Sequence, residues 1–448
     1  VSNYREFQFK SYEFVKESCT LYLRYAYDNQ LAFEETVAFP RVDAALSEID
    51  HAALDRAFRL IFLLSGVSYY KAYVPKDIRC NAFPLDAVMA RFLKQTYTNG
   101  LSEFAYQNSV DLSDRVNFHS SSIRLRAAVR PVLNRGLLVP VGGGKDSIVS
   151  IECLKRTGLP MTLFAVGTAA GIASPILRTI EAAGLPFLLA KRTIDRRLIE
   201  LNKDKATLNG HVPITAILSS IAVACALMQR MDTVVMSNEH SANSPNLRIA
   251  KVEVNHQYSK SLKFETAFAR IVAKTISNRI GYFSLLRSLS EVEIGRRFAQ
   301  LDSYHLVFRS CNAAFKQAAS ERAAHWCCNC PKCRFVFLVL APFIAKDQLL
   351  RIFGANLLAD ESQLLGYEEL CGIRNNKPFE CVGSTEESMI LMGKLFRSAE
   401  WTNDFVVSRL GGEIVKRHRN LASRFEKLLA RRFATRAPAE YRRALDAN

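Results

Sequence analysis

The hexapeptide Gly142-Gly143-Gly144-Lys145-Asp146-Ser147 directly follows the apolar run Leu137-Leu138-Val139-Pro140-Val141. This order suits one kind of chemistry, the holding of an anion. A buried strand runs into a glycine turn, and a helix is expected from about Asp146. Glycines let the backbone approach the anion, and the new helix aims free N–H groups and its positive dipole end at it. Lys145 adds a point charge and Ser147 a hydroxyl, and Asp146 is placed to hold a magnesium ion that shields phosphates. The loop therefore reads as a place for a nucleotide's phosphates. It is not a Walker A loop, which needs a glycine where Val139 stands.

A second constellation is Cys327-Cys328-Asn329-Cys330-Pro331-Lys332-Cys333, with Cys311 upstream. Zinc takes four thiolates in a tetrahedron, and C-x2-C knuckles supply them in pairs. Cys311, Cys327, Cys330 and Cys333 would make a closed structural site. Cys328 is the spare, or a substitute for Cys327. The chain has 11 cysteines, an odd number, and the crowding argues for a reducing cytoplasm with a metal site rather than a disulfide framework.

Two further stretches carry polar chemistry. Ser237 to Asn246 is rich in amides and hydroxyls and contains Glu239, which suits a magnesium ion, a ribose or a polar substrate. In Val254 to Ser261, the residues His256, Tyr258 and Lys260 alternate and share one face if the segment is extended. With Glu253 they are candidates to exchange protons or hold anions.

These residues need elements to position them. Strands are expected at Leu137–Val141, Met161–Val166, Phe187–Ala190 and Thr233–Ser237. Helices are expected at Asp146–Arg156, Ser174–Ala183 and Pro213–Met231. The alternation predicts a parallel sheet with helices on both faces. Ligands in such sheets sit at the strands' carboxyl ends. Those ends carry Gly142–Ser147, Gly167-Thr168, Lys191-Arg192 and Asn238-Glu239. Residues 1–120 read as a separate α+β unit, with strands at Ser18–Tyr27 and Ala32–Phe39 and helices at Ala52–Ser65 and Ala87–Thr96. Tyr69, Tyr70 and Tyr73 read as packing. The expected division is 1–120, 121–310 for the nucleotide domain, 311–400 for the cysteine cluster and a substrate-side extension, and 401–448 for a basic helical segment.

Composition sets outer bounds. The chain of 448 residues is 49% hydrophobic, ample for real cores. Its longest apolar stretches, Phe335–Ala345 and Ile214–Met228, fall short of the roughly 20 residues that span a bilayer. Val1 to Lys10 has no apolar signal-peptide region, so a cytoplasmic protein is expected. The net charge of +17 suits RNA, but also small polyanions such as nucleotides and nucleotide sugars.

The glycine loop resembles the PP-loop of the ATP pyrophosphatases, Ser-Gly-Gly-x-Asp-Ser, with Gly142 where that family usually has Ser. The resemblance implies an adenine nucleotide alpha hydrolase-like sheet with an N-terminal α+β domain and a helical C-terminal region. It implies cleavage of ATP between the α and β phosphates, with AMP passed to an acceptor oxygen. Together with the 238–246 loop, Asn255–Ser261 and Cys327–Cys333, the pattern is similar to the UDP-N-acetylmuramoyl-L-alanyl-L-glutamate epimerases, which make D-glutamate for peptidoglycan. That likeness implies an acyl adenylate of the terminal glutamate, whose α-proton is acidic enough to remove and return.

The resemblance also implies roles. Gly142, Gly143, Gly144 and Ser147 would cradle the β,γ-phosphates, with Lys145 as counter-charge. Asp146 and Glu239 would hold Mg²⁺. The backbone at Val166 and Gly167 would face adenine. Proton transfer would fall to two of His256, Tyr258 and Lys260, or to an unassigned cysteine. Lys191, Arg192 and Arg248 would hold the UDP or the glutamate carboxylates, with Asn238, Asn243, Asn246 and Asn255 as further substrate contacts. ATP, Mg²⁺ and a structural Zn²⁺ are the implied cofactors. The implied partners are the UDP-linked muramoyl dipeptide and the ligase that makes it, with no membrane.

Two rival readings remain open here. A tRNA thiolase or lysidine synthase would use the basic surface, and a 7-cyano-7-deazaguanine synthase has similar cysteine spacing. A zinc-stapled nucleotide sensor is the non-enzymatic alternative.

Overall fold

The computed structural model describes residues 4–41, 47–122, 127–204, 206–249, 252–316, 319–374 and 377–446. Twelve strands occur among them: β1 Glu6–Val15, β2 Thr20–Tyr27, β3 Leu31–Ala38, β4 Asp77–Cys80, β5 Asn117–Phe118, β6 Asn134–Pro140, β7 Met161–Gly167, β8 Phe187–Thr193, β9 Met231–Met236, β10 Leu247–Ile249, β11 Val252–Val254 and β12 Gly281–Ser284. Ten form one sheet in the order β12-β9-β6-β7-β8-β3-β2-β1-β4-β5, and β10 and β11 form a separate hairpin.

The five strands β12, β9, β6, β7 and β8 are mutually parallel. Their order is doubly wound, with chain order reversing between β6 and β9. The crevice at that switch point is where such sheets bind ligands. The glycine loop leaves β6 and the Asn238-Glu239 segment leaves β9, so the topology brings these two segments to one place.

The N-terminal strands are not a separate sheet. β3 pairs antiparallel with β8 through Thr36–Thr193, Val37–Arg192 and Ala38–Lys191. The seam is locked by Arg192, whose guanidinium donates to both oxygens of buried Glu35 at 2.7 and 2.9 Å and to Ser68 Oγ at 3.0 Å. A bidentate pair of this kind is geometrically specific. The strand β1 was not expected from sequence.

Strand alternation sorts side chains into two cores. Leu138, Phe164 and Val234 face the first, with the helices Glu48–Ser65 and Ile214–Met228 and the aromatic residues of the N-terminal strands. Tyr69 and Tyr70 are fully buried there, as packing residues. Leu137, Val139, Leu163, Ala165 and Val235 face the second, with Phe335–Leu340, Trp401, Leu421 and Tyr441. Residues beyond 311 therefore cover the second face of the sheet. Ile214–Met228 is apolar nearly all round because it is sandwiched. At 15 residues it is about 22 Å long, short of a bilayer's ~30 Å. No helix among the described residues is long and apolar enough to cross a membrane.

Candidate active site

The helix Lys145–Lys155 begins at Gly144 with no side-chain cap, so its first N–H groups face the crevice. Gly143 has φ of +75°, and a Cβ there would lie 2.9 Å from the Pro175 carbonyl carbon. Only glycine fits that turn. Ser147 Oγ donates to the Gly144 carbonyl at 3.0 Å. Val166 and Gly167 end β7, in register with Ala190 and Lys191.

Lys145 does not reach outward as a phosphate counter-charge. Its ammonium is buried between Asp146 and Glu291. Burial pulls its pKa down, but the two carboxylates outweigh this and hold it above the ordinary lysine value. The cause is Glu291, itself buried at the start of the helix Glu291–Phe298, which needs a cation. Burial, then Asp146, Glu239 and Glu387, push Glu291 up to about 7 against the pull of Lys145. Asp146 is held below the usual carboxylate value. Burial opposes this, but Lys145, Lys332 and Lys260 prevail. The glycine loop therefore feels two lysines from distant segments.

Those lysines meet at Cys381. Lys260 Nζ donates to Cys381 Sγ at 3.3 Å, and Lys332 Nζ donates to the Cys381 carbonyl. His256 hydrogen-bonds the thiol, and its Nδ1 pairs with Glu103. Burial would raise the thiol's pKa, but Lys260, His256 and Lys332 hold it down at about 6. His256 is lowered by burial but raised more by Cys381 and Glu103, to about 9. Lys260 is likewise held above its ordinary value by Cys381, Glu239 and Asp146. Fully buried Arg287 sets this arrangement, donating to the carbonyls of Glu239 and Lys260 and to Glu265 at 3.1 Å.

Glu103, His211 and His256 each place one ligand atom within 4.8 Å of the others. Burial and the nearby charges of His256 and Lys260 push His211 down to about 3.

Other expected residues are committed elsewhere. Tyr258 lies in the first core against Phe264, its hydroxyl bonded to Asn99, and burial raises it to about 12. Tyr258 is not grouped with the proton-transfer residues, because the segment turns as a 3-10 helix instead of running extended. Arg192 is spent on Glu35 in the sheet seam and is not a substrate contact. Arg248 is exposed and pairs with Glu253 at 2.9 Å across the β10–β11 hairpin. Lys191 is exposed on β8. The Asn amides build loops: Asn238 to Ser284 Oγ at 3.0 Å, Asn243 to the His240 carbonyl at 2.9 Å, Asn246 to the Pro378 carbonyl at 2.6 Å and Asn255 to the Ala242 carbonyl at 3.1 Å.

Cys311, Cys327, Cys330 and Cys333 gather their sulfurs within 4.8 Å. The Sγ–Sγ separations are 3.9 Å for Cys311–Cys330, 3.6 Å for Cys327–Cys333 and 3.5 Å for Cys330–Cys333. A zinc tetrahedron with bonds near 2.3 Å has edges of about 3.8 Å, so the donor set fits. Cys328 turns away, its thiol bonded to the Phe353 carbonyl at 3.3 Å. The cluster caps the helix Pro331–Leu340 and thereby places Lys332 over Cys381.

Sequence reasoning missed Glu291, Cys381, Lys332, Lys377 and Arg287. Lys332 sits inside the cysteine knuckle, a signal that was available. The others carry no local spacing that marks them. Lys377 Nζ is buried with no hydrogen-bond partner among the described residues, and burial lowers its pKa. It lines an open cleft with Asn246, Ser384 and Glu386.

Fold and site together define an α/β protein with a glycine loop at a sheet switch point and, around Cys381, a buried cluster of Lys260, Lys332 and His256. The chain matches the family models described as MurL N-terminal domain over residues 1–285 and MurL C-terminal domain over 307–425. A protein of Xanthomonas oryzae pv. oryzae named UDP-N-acetyl-alpha-D-muramoyl-L-alanyl-L-glutamate epimerase is 43% identical over 389 residues, 86% of this chain and 85% of that one. Proteins of the same name from a Micromonospora species and from Salinispora tropica are 44% and 42% identical, over 86% and 90% of this chain and 84% and 88% of theirs. The chain belongs to this epimerase family. The RNA and deazaguanine readings lose ground, because the match runs through both halves of the chain.

Proposed function

We propose that this protein epimerises the terminal L-glutamate of UDP-N-acetylmuramoyl-L-alanyl-L-glutamate to D-glutamate, using ATP and releasing AMP and pyrophosphate. The names of its relatives support the substrate. One observation supports this chemistry: Lys260 Nζ and Lys332 Nζ both reach Cys381, and the same two lysines help hold the carboxyl of Asp146, in the glycine loop, below its usual range.

A free carboxylate resists loss of the α-proton, because a second negative charge would build beside the first. Joining AMP to that carboxylate removes the charge and lets the enolate spread toward the phosphoester. The backbone of Gly142–Gly144 and the uncapped helix start bind the phosphates. Asp146 and Glu239 would hold Mg²⁺, which neutralises phosphate charge. Lys260 and Lys332 lend positive charge to the crevice. Lys377, whose buried Nζ has no hydrogen-bond partner among the described residues, takes a substrate carboxylate from the cleft. A structural Zn²⁺ on the four cysteines would tie Lys332 in place.

The test is incubation with ATP, Mg²⁺ and the UDP-linked L-Ala-L-Glu substrate, reading AMP, pyrophosphate and glutamate chirality. D-glutamate with AMP is expected, and both should be lost in Asp146→Ala. Unchanged L-glutamate and no AMP would refute the proposal.

A further inference from the structure

An epimerase needs a group with a free electron pair at the α-proton. Three candidates crowd the site, and their charge states separate them. Lys260 is held as an ammonium by Cys381, Glu239 and Asp146. His256, clamped between Glu103 and Cys381, is held as an imidazolium up to about pH 9. Neither offers a lone pair at neutral pH. Cys381 is surrounded by the three cations Lys260, His256 and Lys332, with Glu103, His211 and Lys377 beyond them. Of the three candidates it alone is poised as an anion, whereas Glu103 and the neutral His211 are turned to His256 and to each other.

We propose that Cys381 is the catalytic base for one face of the glutamyl α-carbon, with Lys260 and His256 as its positioning residues. This rests on the epimerase reading above. The Cys381 thiolate takes the α-proton and becomes a thiol. The C–H electron pair enters the bond between the α-carbon and the activated carboxyl carbon, and the carbonyl oxygen takes the negative charge. Nothing is oxidised or reduced. A second group returns a proton on the opposite face, and water then releases AMP.

Geometry excludes Lys260 as that second group. Groups flanking a planar carbon from hydrogen-bond reach stand about 6 Å apart. Lys260 Nζ is 3.3 Å from Cys381 Sγ and so shares its face. Of the expected alternatives, two among His256, Tyr258 and Lys260 or an unassigned cysteine, this arrangement favours the cysteine. His256 and Lys260 both attend Cys381, and Tyr258 lies in the core.

The experiment compares the full chain with its Cys381→Ala and Cys381→Ser variants in deuterated water, with ATP, Mg²⁺ and the UDP-linked substrate. Both variants should still form AMP and return L-glutamate without α-deuterium, with epimerisation lowered by about 10³-fold. Wild-type rates of D-glutamate formation or α-deuterium uptake in both variants would overturn the proposal. So would a substrate adduct on Cys381 released by hydroxylamine, which would make the thiolate a nucleophile. A second readout needs no turnover. Alkylation of Cys381 by iodoacetamide, followed by mass spectrometry, should be half-maximal near pH 6 and shift alkaline in Lys260→Met. An ordinary thiol midpoint in the wild type would overturn the proposal whether or not the substrate is correct. Absence of AMP in the wild type alongside a midpoint near 6 would instead fault the reaction and support the thiolate.

Discussion

Lys260 Nζ meets Cys381 Sγ at 3.3 Å although 121 residues separate them in the chain. The pair joins the segment after β11 to the loop that precedes the helix Thr385–Phe396. It also sets the first prediction. With the thiol held down at about 6, kcat/KM should rise with pH through about 6 and level off as the thiolate forms. Removing an adjacent ammonium raises a thiol's pKa. In Lys260→Met the rise should therefore move alkaline by a pH unit or more, read from a pH–rate profile. His256 and Lys332 remain to hold part of the shift. An unmoved limb would show that Lys260 does not act through Cys381.

Lys145 neutralises two carboxylates in a buried space. Lys145→Met leaves Glu291 without a cation, and breaking a buried pair from one side costs about 3–5 kcal/mol. Denaturant unfolding should register that loss near pH 8. Lys145→Met combined with Glu291→Gln should recover much of it, because the uncompensated Glu291 charge is then gone and Asp146 keeps the charges of Lys332 and Lys260. The single variant's deficit should shrink as pH falls, since protonated Glu291 is neutral. A deficit independent of pH would contradict the role assigned to Glu291.

Gly142 and Gly143 are adjacent but not equivalent. A Cβ at Gly142 meets nothing within 4 Å, whereas one at Gly143 strikes the Pro175 backbone in a left-handed turn. Gly142→Ser should leave stability within about 0.5 kcal/mol of wild type and keep or tighten ATP binding. Gly143→Ala should weaken ATP binding at least tenfold and lower the melting temperature. Calorimetric titration with ATP and a thermal melt check both, and equal behaviour of the two variants would refute the loop geometry.

The four gathered thiols should carry one zinc per chain by elemental analysis. Cys328→Ser should keep it, because that thiol points to the Phe353 carbonyl. Cys330→Ser should lose it and also lower turnover, since Lys332 rides on the same knuckle. Full metal content in Cys330→Ser would exclude the site.

Short-range features of this chain were legible before any folding was considered. Apolar residues at Leu137–Val141 followed by three glycines dictate strand, turn and helix, since each depends on neighbours a few residues away. The alternation of strands and helices from Leu137 onward, and the cysteine spacing, were legible for the same reason. Tertiary structure alone decided partners. Arg192 sits at a strand end beside the crevice in the sequence pattern, yet β3 pairs with β8 and delivers Glu35 to it. Lys145 belongs to the loop motif, yet Glu291 claims its charge. Tyr258 shares a spacing with His256 and Lys260, yet a helical turn sends it into the core. Cys381, unmarked by any spacing, has its thiol held down against burial because Lys260, His256 and Lys332 converge on it from separate segments. Charge and burial act through space. Chain crossovers set which groups meet in space, and no local spacing records them.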